Sequence, residues 1–117
     1  MNEIKDMKTN RTKKILVSYL KEEVRHYEKM CRISNNDYDI RYYDGRCIVA
    51  QHILDELEKQ KEFDIQKLIL LIRQEQLEDL HDRRAFYKEN KCDNERILGH
   101  IDEYGLLVKL FFQNYSI

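Results

Sequence analysis

At 117 residues, with 42% hydrophobic and 37% charged side chains, the chain is long enough for one globular domain with a real core and too short for two. Lys and Arg number 21 against 22 Asp and Glu, a formal charge of −1, so no whole-protein field argues for a nucleic-acid or membrane partner. Proline is absent and glycine occurs three times, which removes the turn residues of β-rich folds and predicts an all-α protein, a four-helix bundle with short polar connections and an additional turn ahead of the first helix.

The first segment with a period near 3.6 residues covers about 10–32. Its apolar stripe is Leu16, Leu20, Val24, Tyr27 and Cys31, with Lys, Glu and Arg on the other side, as in an amphipathic helix. Ser34-Asn35-Asn36-Asp37 separates it from a second segment, about 38–60, in which Ile40, Tyr43, Cys47, Ala50, Leu54 and Leu57 alternate steps of three and four. Helices pack against one another along such seams. Gly45 interrupts this one at a cost of about 1 kcal/mol relative to Ala. Tyr38, Ile40 and Tyr42 also alternate with polar residues, so 37–43 has the pattern of a short strand before an Asp44-Gly45 turn, but the seam runs on through the glycine and favours helix.

A third segment, about 64–89, opens at Asp64, a residue suited to capping, and carries Ile65, Leu68, Ile69 and Ile72 before turning polar around Leu77 and Leu80. Arg83, Arg84 and Lys88 suit its C-terminal end. The fourth segment, about 94–115, repeats the seam as Ile97, Ile101, Tyr104, Val108, Phe111 and Tyr115, with Leu98, Leu106, Leu107, Leu110 and Phe112 apolar outside it. A helix apolar on most sides needs cover on most sides, which places this half-helix in a subunit interface or under the N-terminal segment; the first is the leading expectation, a homodimer through Tyr104, Leu107, Val108, Phe111 and Phe112. Gly105, beside this seam, is a candidate for close helix approach.

Two Glu-x-x-His pairs, Glu23 with His26 and Glu78 with His81, are the sharpest candidates for chemistry. Residues i and i+3 share a helix face, and ferritin-like di-iron bundles present a carboxylate and an imidazole in this way. Asp55, Glu56, Asp102 and Glu103 are candidates for the remaining carboxylates. Direction argues against the set, because Glu78 and His81 lie opposite the stripe of Ile65, Ile69 and Ile72, and His26 lies off its own stripe. A metal-dependent helical-bundle enzyme is therefore the third-ranked reading, and the leading expectation includes no catalytic residue, metal or cofactor. Glu75-x-x-Glu78 with Asp79 and Asp82 resembles the acidic clusters that hold magnesium in all-helical nucleotide pyrophosphohydrolases. The second, downstream Glu-x-x-Asp of those enzymes is missing here, so the four carboxylates read as a solvated face.

Lys5, Lys8, Arg11, Lys13 and Lys14 crowd the entry to the first expected helix, where cations oppose the macrodipole by about 0.3–1 kcal/mol each. Such departures from local consistency mark functional surface. Tyr38, Arg41, Tyr42 and Arg46 form a second patch, of the residue types that anchor protein interfaces or stack on bases. Lys8, Arg11, Lys13, Lys14, Tyr38, Arg41, Tyr42 and Arg46 are accordingly the candidate partner-binding residues, for a protein partner or, in the second-ranked reading, for nucleic acid. Cys31, Cys47 and Cys92 are odd in number and lack CxxC spacing, which predicts reduced thiols. No secretory segment and no apolar run near the roughly 20 residues of a membrane span is seen, and the cytoplasm is the expected compartment. The expectation is a small non-catalytic interaction protein, a regulator or inhibitor that works as a homodimer by binding another macromolecule, of the kind common among bacterial and phage accessory proteins.

Overall fold

The computed structural model describes the backbone of residues 2–89 and 94–115 and the side chains of 10–81, 94–111 and 113. Those residues form four helices and no strand: α1 (Asn2–Ile33), α2 (Asp37–Lys59), α3 (Ile65–Glu89) and α4 (Asn94–Tyr115). Helix α1 starts well ahead of the expected position 10, and the separate N-terminal turn is simply its beginning. Nothing in 2–10 breaks a helix, and Glu3 and Asp6 place negative charge where the helix dipole favours it. Arg11, Lys13 and Lys14 therefore lie past the first two turns, where the macrodipole no longer penalises them.

Residues 37–43 are helical, so the strand pattern of Tyr38, Ile40 and Tyr42 is overridden. The local cause is Asn36, an extended N-cap whose Oδ1 accepts from the Asp39 backbone N–H at 2.8 Å while its Nδ2 donates to the Asp39 carboxylate at 2.9 Å. The first bond satisfies one of the backbone donors that a helix start leaves open, and the second holds the Asn36 amide in the capping orientation. Asp64 does the same for α3, its Oδ1 accepting from the backbone N–H groups of Gln66 (3.0 Å) and Lys67 (3.2 Å).

The helices pack as an all-α bundle in the spatial order α1, α2, α4, α3, with only a marginal contact between α2 and α3. The two inner helices bury wider faces than their seams alone. Val49 and Ile53 join Ala50, Leu54 and Leu57 on α2, and Leu107 joins Tyr104, Val108 and Phe111 on α4. Leu16 and Leu20 from α1 and Leu68, Ile69 and Ile72 from α3 close the same core. Burying one such side chain contributes about 1.5–3 kcal/mol, so this cluster is the main stabilising element of the bundle.

Two glycines set how closely α2 and α4 approach. A Cβ on Gly45 would overlap the Arg96 carbonyl, its carbon only 2.9 Å away, and a Cβ on Gly99 would overlap the Tyr42 carbonyl and reach 3.0 Å from the Arg46 nitrogen. Gly105 does not have this role, since a Cβ there would meet only the mobile end of Gln76 at 3.3 Å. At the other end of α2, Lys13 Nζ donates to the Gln60 carbonyl at the C-cap (2.9 Å). That bond marks the level at which α2 ends, and the chain from Asn2 to Thr12 runs past it.

Candidate functional site

The close glycine crossing brings polar residues of three helices into the interior. Glu103 of α4 is fully buried, at 0% exposure. Its Oε1 accepts from the Tyr27 hydroxyl of α1 (2.6 Å) and from Arg46 Nε and Nη2 of α2 (both 3.0 Å). Arg46 lies between two rings, its Cζ 5.1 Å from the Tyr27 centroid and 5.8 Å from that of Tyr42, within cation–π reach of each. It also donates to the Tyr42 hydroxyl (3.2 Å), which in turn donates to Asp102 (2.5 Å). Tyr19 donates to Glu23 on α1, at the border of the same cluster.

Burial of Glu103, with the Glu23 charge acting the same way, pushes its carboxyl up to about 7 against the opposing pull of Tyr27 and Arg46. Burial alone lowers the Arg46 guanidinium, but the Glu103 charge outweighs it and holds the cation more firmly than usual. Burial, and the hydroxyl's bond to Glu103, keep Tyr27 protonated far above the ordinary phenol range, and burial and Asp102 move Tyr42 up to about 12. A tyrosine fixed as the neutral donor and a guanidinium fixed as the cation make this cluster a tie between α1, α2 and α4.

A second set of polar contacts joins α3 to its neighbours. Glu75 accepts from the Tyr104 hydroxyl (2.9 Å) and pairs with His52 of α2 (2.9 Å), while one turn along Asp79 pairs with His100 of α4 (3.4 Å). Glu75 and Asp79 are thus turned toward α4, correcting their reading as part of a solvated face; Glu78 is exposed. Asp82 lies outside the described side chains.

The candidate partner-binding residues separate into two places. Arg11 and Lys14 are exposed on α1 and Lys13 is held by Gln60, whereas Tyr38, Arg41, Tyr42 and Arg46 lie at the opposite end of the α1–α2 hairpin. In that second group Tyr38 is exposed, Arg41 pairs with Glu95 (3.3 Å), and Tyr42 and Arg46 are turned into the buried cluster. Lys8 lies outside the described side chains.

The expected subunit face on α4 is corrected outright. Tyr104, Leu107, Val108 and Phe111 are buried by the chain's own helices, because α4 lies between α2 and α3 and is covered on both sides. The side chain of Phe112 is outside the described residues.

The Glu-x-x-His residues are brought to opposite edges of the bundle. Glu23 and His26 stand on α1 and Glu78 and His81 on α3, helices that do not adjoin, and His26, Glu78 and His81 are exposed. Asp102 is taken by Tyr42, Asp55 by Gln51 and Glu56 by Lys59. Among the described residues no group of three or more His, Cys, Asp and Glu side chains is placed to hold a metal ion.

The thiols of Cys31 and Cys47 are free and half-buried, pointing at the carbonyls of Ile40 and Val24. Burial raises both, Cys47 to about 11, which removes thiolate character at neutral pH. Cys92 lies outside the described residues. No described helix is long and apolar enough to cross a membrane.

Sequence reasoning passed over Glu103 as a core residue, although a signal was there. Gly99, Glu103 and Leu107 follow one another at steps of four, a second row beside the α4 seam, and Arg46 stands one turn after Tyr42 on the facing helix. His52 and His100 carried no signal, since their partners lie on α3 at separations of 23 and 21 residues. Comparison of the chain with protein-family models, with curated proteins and with solved structures gives no match.

Proposed function

We propose that the protein is a non-catalytic interaction protein that binds another macromolecule and self-associates as a homodimer. The observation carrying this reading is where the ionisable side chains go. Arg46 is used on Glu103, Arg41 on Glu95, Arg96 on Asp44, His52 on Glu75 and His100 on Asp79, each pair tying one helix to another. Chemistry-bearing groups so placed serve the scaffold, and the outer faces of the edge helices are left for recognition.

With α4 enclosed, self-association is assigned to the outer face of α3. Leu70 and Leu77 are each 67% exposed there, one heptad apart. Exposed Lys67 and Glu78 flank them on one side, and Arg73, on the other, has an interaction of its own within the chain. In an antiparallel pairing of two copies Leu70 meets the other copy's Leu77, and Lys67 stands across from its Glu78, so the row is complementary to itself, as an isologous interface requires.

Sedimentation equilibrium at 1–100 µM tests this. A concentration-dependent dimer is expected, weakened about tenfold by Lys67→Glu or Glu78→Lys alone and restored by the double exchange. A monomer throughout, or a double exchange that restores nothing, refutes it.

A further inference from the structure

Charge in this near-neutral chain is segregated by helix. Helix α1 contains nine Lys and Arg against five Asp and Glu, a formal +4, while the rest of the chain contains twelve against seventeen, a formal −5. Of the seven α1 cations whose side chains are described, six share one face, and Lys13, held by Gln60, does not. Arg11, Lys14, Lys21, Arg25, Lys29 and Arg32 are all exposed and follow at steps of three, four or seven, on the side opposite Leu16, Leu20, Val24 and Tyr27. Ser18 fills the one gap in the row. Two carboxylates, Glu22 and Glu28, stand on this face, and Glu22 is already bonded to Arg25. At 1.5 Å per residue the row is about 32 Å long, and no described helix covers it, since each of its six cations is exposed.

We infer that this row is a docking surface for the phosphate backbone of duplex nucleic acid. The inference rests on the interaction-protein reading and names the partner. A rod of about 32 Å covers about one turn of duplex, which rises about 34 Å, and it meets a polymer carrying one negative charge per roughly 1.7 Å of axis. An acidic protein is disfavoured by what the face lacks. Protein interfaces are depleted in Lys at their centre and draw their energy from buried aromatic and apolar anchors. Here half of the cations are Lys, and the large apolar side chains nearest the row, Ile15 and Ile33, stand at its two ends. Even spacing of long cations without an anchor suits phosphates, and it reads no base sequence.

The test is fluorescence-anisotropy titration of a 20-base-pair mixed-sequence DNA duplex across 50–200 mM salt. Six phosphate contacts give a log-log slope near −5, so affinity falls about 10³-fold over that range. Lys14→Gln, Lys21→Gln and Lys29→Gln together halve the slope, leaving a fall of about 40-fold, while Lys61→Gln with Lys109→Gln, cations outside the row, leave it unchanged. These are exposed positions, so circular dichroism of each variant stays that of the wild type. No binding at 50 mM salt, a slope indifferent to the triple substitution, or equal binding to polyglutamate in place of the duplex overturns the inference. Sedimentation run on the same proteins separates the two readings, because a duplex that fails to bind a chain that still dimerises removes the nucleic-acid partner and leaves the interaction protein standing.

Discussion

Gly45 of α2 and Gly99 of α4 stand at a single crossing, each against the backbone of the other's helix. Helix propensity alone favours alanine at both by about 1 kcal/mol. Packing reverses that preference, because a methyl group there meets a carbonyl that belongs to a hydrogen-bonded helix and yields little. Gly45→Ala and Gly99→Ala are each expected to lose about 1–3 kcal/mol in urea unfolding followed by circular dichroism. Gly105→Ala, which meets only a glutamine side chain, gains up to about 1 kcal/mol. Equal effects at the three positions would contradict the crossing.

Stability should fall with pH across the neutral range. The Glu103 carboxyl, raised from 4.5 to about 7 by burial, holds its proton more tightly in the native state than in the unfolded chain. Its contribution is complete below about pH 4.5 and is lost as pH climbs through about 7. The groups around it are Tyr27 and Glu23 of α1, Arg46 and Tyr42 of α2 and Asp102 of α4. Urea midpoints measured from pH 5 to pH 8.5 check the slope, and Glu103→Gln should flatten it. A Gln variant with the wild-type slope would assign the dependence elsewhere.

Removing the cation alone should be worse than removing the pair. Arg46→Met at pH 8 leaves an ionised carboxylate buried without its partner, at a cost of about 3–5 kcal/mol, whereas Arg46→Met combined with Glu103→Leu costs less than the single change. At pH 5 the Glu103 carboxyl is protonated and the Arg46→Met deficit shrinks. A double-mutant cycle at both pH values reads the coupling directly.

Tyr104→Phe deletes the hydroxyl that donates to Glu75 without changing the ring that fills the core. A hydrogen bond to a charged group contributes about 1.5–3 kcal/mol. The loss should appear in native-state hydrogen exchange as faster opening of α3, with α1 and α2 little changed. Uniform acceleration across the bundle would place this bond in the global core.

Chelation should do nothing to the fold. Glu23 and His26 stand on one edge of the bundle and Glu78 and His81 on the other, so millimolar EDTA is expected to leave Tm unchanged. His26→Ala and His81→Ala, at exposed positions, should each stay within about 0.5 kcal/mol of wild type. A chelator-induced drop in Tm would reopen the metal reading.

The four helices were legible because seam spacing and the absence of proline point the same way at every level. Asp64 could be read as a cap for the same local reason. The placement of α4 between α2 and α3 could not be read, and two errors come from that one gap. From sequence the apolar sides of α4 point to a second subunit or to the N-terminal segment, whereas α2 and α3 cover them, and Glu75 and Asp79 read as solvated, whereas α4, with His52 of α2, takes them. Glu103 escaped because a carboxylate outside a seam ordinarily means solvent, and its burial becomes sensible only once Arg46 and Tyr27 are known to face it. The basic cluster at the first helix stands out in the sequence for an electrostatic reason that the earlier start of α1 removes for Arg11, Lys13 and Lys14. Its continuation as a row to Arg32 was within reach of the sequence, because the stripe of Leu16, Leu20, Val24 and Tyr27 already fixes the opposite face.

The order α1, α2, α4, α3 also constrains how the chain is made. As it leaves the ribosome the α1–α2 hairpin can close, but the side of α2 bearing Val49, Ile53 and Leu57 is covered in full only when the last helix is synthesised and slides in beside it. A nascent chain stalled before residue 94 therefore shows an uncovered apolar strip to its surroundings, the kind of surface that chaperones hold and that aggregates when they do not.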